Sequence, residues 1–193
     1  MDLLKTILDL VVGLLTKKEI DLNTEVPIGN DSASQPQAQV HQDPPTVAID
    51  WTNPDQKLSK YFTVKEMIYL PTWKRMANES DGLNEQIKEN LLKLAQKMDT
   101  VREYFGKPIN VHVTYRPLEY NKAIGGALHS AHTDGMAMDF DISGMTCDQV
   151  REELVSKGLL DQWAMRCEKR PGSNWVHLDY RSLLPGGNRY FLP

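Results

Sequence analysis

The sequence predicts an α+β fold in which N-terminal helices are followed by a small, mostly antiparallel sheet. Three observations carry this reading. Apolar residues recur every three or four positions from Asn84 to Phe105, they alternate with polar ones in three later segments, and two helix starts carry a capping box.

The elements follow in order from Trp51, where the folded region begins. In Thr63-Val64-Lys65-Glu66 the hydroxyl and the carboxylate stand three residues apart, the spacing at which each satisfies a free backbone N–H of a first turn. Phe62 and Met67 flank that turn as a hydrophobic staple. A helix therefore starts at Val64 and stops before Pro71, because the residue ahead of a proline avoids the helical region. Ile87, Leu91, Leu94, Met98, Val101 and Phe105 then make one apolar stripe, and Gly106 and Pro108 end the helix that carries it. Beyond this point the period drops to two. Ile109, Val111 and Val113 alternate with Asn110, His112 and Thr114; Met136, Met138, Phe140 and Ile142 alternate with Ala137, Asp139 and Asp141; Val176, Leu178 and Tyr180 alternate with His177 and Asp179. Each segment reads as a half-buried strand. Thr146 and Gln149 form the second capping box, opening a helix that runs to Gly158.

A chain of 193 residues, 40% apolar and 25% charged, has globular composition with room for one domain and an extra segment. Net charge is -4, and the longest basic runs, Lys17-Lys18 and Lys169-Arg170, are too short to follow a phosphate backbone, so nucleic acid is excluded as a partner. Cys147 and Cys167 lack the close spacing of a zinc knuckle or redox pair and read as thiols. Leu4, Leu8, Val11 and Leu15, with Ile7 and Leu14, give residues 1–20 the pattern of a short amphipathic docking helix. Asp9 and the closing Lys17-Lys18-Glu19 do not suit a signal peptide, and the apolar run is well short of the roughly 20 residues of a transmembrane segment. Residues 21–50, rich in Pro, Gln and Ser, read as a linker, which leaves residues 51–193 as the folded domain.

Alternation sets Asp139 and His177 on the faces of two strands, where they converge if those strands are neighbours. His132 lies seven residues before Asp139 in the polar loop His129-Ser130-Ala131-His132-Thr133-Asp134-Gly135, long enough to fold back over the strand it precedes. Two histidines and one aspartate make the three-ligand set of a catalytic zinc site, with the fourth position left to water. With five histidines in the chain, spacing alone also admits ordinary hydrogen-bonded histidines.

The stretch VTYRPLEYNKAIGGALHSAHTDGMAMDFDI, followed later by SNWVHLDYR, resembles the zinc D-Ala-D-Ala carboxypeptidase family of murein peptidases. These are grouped with the L-alanyl-D-glutamate endopeptidases of phage lysins and with the hedgehog-like metallopeptidase fold. The resemblance spans Leu58 to Arg181 and implies a Zn2+ ion held by His132, Asp139 and His177. It implies that Arg116 neutralises a substrate carboxylate or the oxyanion that develops during attack, the alternative being an ion pair with Glu119 or Asp141. Gly125 and Gly126 would form a tight loop beneath the site, Ser130 would orient a ligand, and His129 would contact substrate.

Several members carry an acid three residues before the last histidine, where this chain has Asn174, and an amide cannot take a proton. Glu168 is then the first candidate for the general base, Asp179 the second with the added task of orienting His177, and Asp141 the third. The implied function is a zinc-dependent peptidase hydrolysing peptide bonds in bacterial peptidoglycan, as a phage endolysin or virion-associated lysin. The alternative is a catalytically inactive zinc-fold component of a phage or tail-like particle that binds the wall. Expected partners are peptidoglycan peptide and, through residues 1–45, other virion or tail proteins. The expected location is the phage particle or host cytoplasm, with action on the periplasmic or extracellular cell wall.

Overall fold

The computed structural model describes residues 48–183 and 186–192. The docking helix expected over 1–20 lies outside the described residues, as does the expected linker apart from residues 48–50. Among the described residues no helix is long and apolar enough to cross a membrane.

The capping box at Thr63 forms as its spacing requires. Thr63 Oγ1 accepts from the Glu66 N–H at 3.3 Å and Glu66 Oε2 accepts from the Thr63 N–H at 2.8 Å, opening helix α1 (Val64–Ile68). Phe62 and Met67 are both fully buried beside it. The helix ends sooner than Pro71 demands, because Tyr69–Leu70 (β1) leaves it to pair antiparallel with Arg75–Met76 (β2). A 3-10 turn at Glu79–Asp81 leads to the long helix α2 (Glu85–Phe105), capped by Asn84 Oδ1 on the Ile87 N–H and closed by Gly106 in the left-handed region at φ 61°. Leu91, Leu94, Ala95, Met98 and Val101 face inward from α2. Each large side chain of that stripe contributes roughly 1.5–3 kcal/mol by leaving water.

A five-stranded sheet packs on this stripe. Its strands are β3 (Ile109–Val113), β4 (Ala137–Ile142), β5 (Arg166–Glu168), β6 (Val176–Asp179) and β7 (Tyr190–Phe191), in the order β3-β4-β6-β5-β7. All neighbours are antiparallel except β5 and β7, which run parallel. Three helices interrupt the strands: α3 (Leu118–Ala123), α4 (Cys147–Ser156) and α5 (Leu159–Gln162). Thr146 and Gln149 cap α4 reciprocally, and Gly158, at φ 65°, turns the chain from α4 into α5. Met138, Phe140, Ile142, Cys167, Val176 and Leu178 belong to the core, so the intervening residues Asp139, Glu168 and His177 emerge on the opposite face.

Candidate metal centre

Cross-strand register assembles most of the site. Asp139 on β4 pairs with His177 on β6, and Arg166 on β5 pairs with Asp179 on β6. Continued by two residues, the β5–β6 register sets Glu168 opposite His177. Side chains directly opposite stand about 5 Å apart at Cβ, and His177 Nδ1 indeed lies 2.8 Å from Asp139 Oδ1.

His132 arrives from the loop before β4, which is folded on itself by Thr133 N–H to Ser130 O and Gly135 N–H to His132 O. Gly135 (φ 67°) lies so close to α2 that a Cβ would stand 3.1 Å from Leu91 Cγ and 3.2 Å from the Ile87 carbonyl oxygen. The loop is thereby pressed onto the helix, and His132 is carried inward until it is fully buried.

Both imidazoles are oriented from behind. His132 Nδ1 lies 2.7 Å from the Thr114 carbonyl oxygen, which only accepts, so Nδ1 bears the proton and the Nε2 lone pair faces Asp139 Oδ1 and His177 Nδ1, each 3.1 Å away. His177 Nε2 faces Asp179 Oδ2 at 3.5 Å. Asp179, fully buried, accepts from Arg166 Nε and Nη2 at 2.8 Å each and from the Arg181 N–H at 3.0 Å. A carboxylate behind a ligand imidazole fixes its tautomer and raises its basicity.

Burial pushes the His132 pKa down, although Asp139 pulls it the other way. Burial also acts to lower His177, but the hydrogen bonds to Asp139 and Asp179 outweigh it and raise the ring to about 9. Against burial, His132 and His177 hold Asp139 well below the usual carboxylate range. Asp179 sits at about 2 because His177 and Arg166 outweigh its own burial.

The donor set fits a small divalent ion. One ligand atom from each of His132, Asp139 and His177 lies within 4.8 Å of the others. Donors placed tetrahedrally 2.0–2.1 Å from zinc stand roughly 3.3 Å apart, close to the separations of 2.8 and 3.1 Å found here. A convergent group of two imidazole nitrogens and a carboxylate, with no fourth protein ligand among the described residues, matches an open zinc site.

Asp139 and His177 line a cleft of about 430 Å³, which Arg116, His129, Ser130 and Glu168 also line. The Arg116 N–H donates to the His132 carbonyl, and its Nη2 donates to Ser130 Oγ at 3.1 Å; its Nε is buried without a partner among the described residues. The alternative ion pairs for Arg116 do not form: Glu119 pairs with Lys122, and Asp141 takes Asn110 and His112. Ser130 Oγ also accepts from the His132 N–H at 3.3 Å, so this buried hydroxyl ties the arginine to the histidine loop. His129 is exposed on the rim, where its carbonyl accepts from Arg181 Nη1.

Of the carboxylates considered for proton transfer, Glu168 lines the cleft, its charged neighbour Arg170 standing 3.5 Å away. Asp179 is enclosed behind His177, and Asp141 lines a different depression together with Asn174 and Cys147. Gly125 and Gly126 line the cleft, and Gly126 leaves room for Asn121: a Cβ there would lie 2.1 Å from Asn121 Oδ1. Sequence reasoning missed Trp175, Arg170 and Phe191 on the cleft wall, and Arg166 behind Asp179. Met165 and Cys167 alternate with Arg166 and Glu168, a run too short to mark a strand by itself, and nothing local marks Phe191.

The model of the family described as Peptidase M15 matches residues 60–179, which contain His132, Asp139 and His177. No curated protein and no solved structure matches the chain.

Proposed function

The chain belongs to the peptidase M15 family, whose members are zinc-dependent peptidases, and from that premise we propose that it hydrolyses peptide bonds in bacterial peptidoglycan. The observation that carries this reading is the cleft itself, in which the His132–Asp139–His177 group shares one space with a guanidinium, Arg116, and a carboxylate, Glu168. Murein peptides carry free carboxylates, and an arginine that lines the cleft grips such a group or the oxygen on which charge develops.

Zinc, when bound, supplies Lewis acidity and makes water a nucleophile near neutral pH. His132, Asp139 and His177 would hold the ion, with Thr114 and Asp179 fixing the two rings. Arg116 orients the scissile carbonyl or an adjacent carboxylate. Glu168 takes the proton of the attacking water on a carboxylate oxygen and returns it to the leaving amine nitrogen.

The particle role is part of the same proposal. Residues 1–45, with the helical spacing of Leu4, Leu8, Val11 and Leu15, read as a docking segment for other virion or tail proteins. The chain would then act on the wall as an endolysin or virion-associated lysin. One observation favours a second reading, a wall-binding component without activity: Asn174 stands where several relatives of this type carry an acid.

The test is release of new amino groups from purified peptidoglycan by the zinc-loaded full chain. Cleavage that a chelator abolishes, with about one zinc per chain, supports the peptidase. Zinc retained without cleavage of any wall peptide leaves the binding component.

A further inference from the structure

Phe191 lies beyond the segment that the family model matches, which ends at Asp179, yet it lines the cleft beside Glu168 and His177. We infer that Phe191, presented by β7, is a substrate-contacting residue and gives the cleft an apolar wall next to the metal-binding group. The inference rests on the peptidase reading above.

The sheet fixes its place. β7 pairs with β5 so that Phe191 stands beside Glu168, while Asp139 stands beside His177. Asp139, His177, Glu168 and Phe191 therefore form one row across four strands, on the face opposite the core. The strand is anchored on both sides of Glu168: the Cys167 N–H donates to Arg189 O at 2.7 Å and the Lys169 N–H to Phe191 O at 2.6 Å. Arg189 Nε is held by Asp161 Oδ1, and the Tyr190 N–H by Asn188 Oδ1.

The half-buried Phe191 ring packs edge-to-face on His177 with centroids 6.3 Å apart, and Arg166 lies 4.8 Å from its centroid. The ring thus has a fixed backing and borders the cleft. Much of the remaining lining is charged, from Arg116, Arg170, Arg181, Glu168 and Asp139. A peptide seated over His177 meets an aromatic surface on its β7 side, which suits a small apolar side chain flanking the cut bond and disfavours a charged one.

Zinc-loaded full chain and its Phe191→Ala variant are compared on a soluble murein stem peptide. A wall that touches ground and transition states alike changes KM and leaves kcat. The expected result is a roughly tenfold rise in KM with kcat within about twofold, unchanged zinc content, and recovery in Phe191→Tyr. Calorimetric titration of the same peptide into Glu168→Gln protein, with and without Phe191→Ala, gives the matching loss of affinity independently of turnover.

Equal KM and equal affinity overturn the inference, as does a loss that appears only as lower zinc content. If Phe191→Ala fails to fold, Phe191→Gln keeps bulk at this half-buried position and removes the apolar surface, and an unchanged KM in that variant overturns it equally. A wild-type chain that neither binds nor cleaves the peptide sinks the functional reading and this inference with it; cleavage untouched by the substitutions sinks this inference alone.

Discussion

Arg166 and Asp179 face each other across β5 and β6, with Nε and Nη2 each donating to one carboxylate oxygen over 2.8 Å. The pair is closed from water on the aspartate side, and the same carboxylate backs His177. Asp179→Asn strands the guanidinium and is expected to cost about 3 kcal/mol of stability. It is also expected to weaken zinc binding about 10–100-fold. Urea unfolding and competition with a zinc chelator measure the two effects. Combined with Arg166→Gln, the loss of stability should be smaller than the sum of the single losses, and simple additivity would argue against the coupling.

Glu168→Gln keeps shape and removes basicity. Turnover on wall peptide is expected to fall by about 10²–10⁴, with zinc content unchanged because Glu168 lies outside the ligand group. Retained kcat would move the proton-transfer role to another group.

Gly126→Ala tests the loop beneath the cleft. The Gly126 N–H donates to Asn121 O and Asn121 Nδ2 donates to Ala127 O, so the buried asparagine and the loop are mutually fixed. A methyl group 2.1 Å from Asn121 Oδ1 forces one of them to move. A loss of about 1–3 kcal/mol in chemical denaturation is expected; wild-type stability would mean that the asparagine yields freely.

The two thiols are free and buried. Burial pushes Cys167 up to about 12 and raises Cys147 as well. Because the thiolate is the reacting form, Cys167 should resist a disulfide reagent at pH 8 in the native chain, while both cysteines react once it is unfolded. Timed labelling with mass spectrometry reads this, and fast native labelling of Cys167 would contradict its enclosure.

Much of this fold is legible where periodicity has room to show. The stripe from Ile87 to Phe105 and the alternations around Phe140 and Leu178 specify α2, β4 and β6, and Thr63 and Thr146 mark the starts of α1 and α4. The hairpin of β1 and β2, three-residue β5 and two-residue β7 are too short to establish a period, and their pairing depends on distant partners. The same limit applies to the site. Asp139 and His177 sit on strands that can be read locally, whereas nothing near Glu168 announces that β5 comes to lie against β6. Where Glu168, Asp179 and Asp141 stand relative to the cleft depends on the sheet order, and the enclosure of Asp179 depends on Arg166.

Chain length is therefore not equally negotiable everywhere in this molecule. Side chains along β6 point alternately to the two faces, so a single residue inserted within Val176–Asp179 would exchange the places of His177 and Leu178. One imidazole would enter the oily interior and one leucine would take its seat in the cleft. The bend at Pro171–Gly172, exposed and already turned through a positive φ, can lengthen without that exchange. Homologous chains should vary in length at such bends and hold it constant between them.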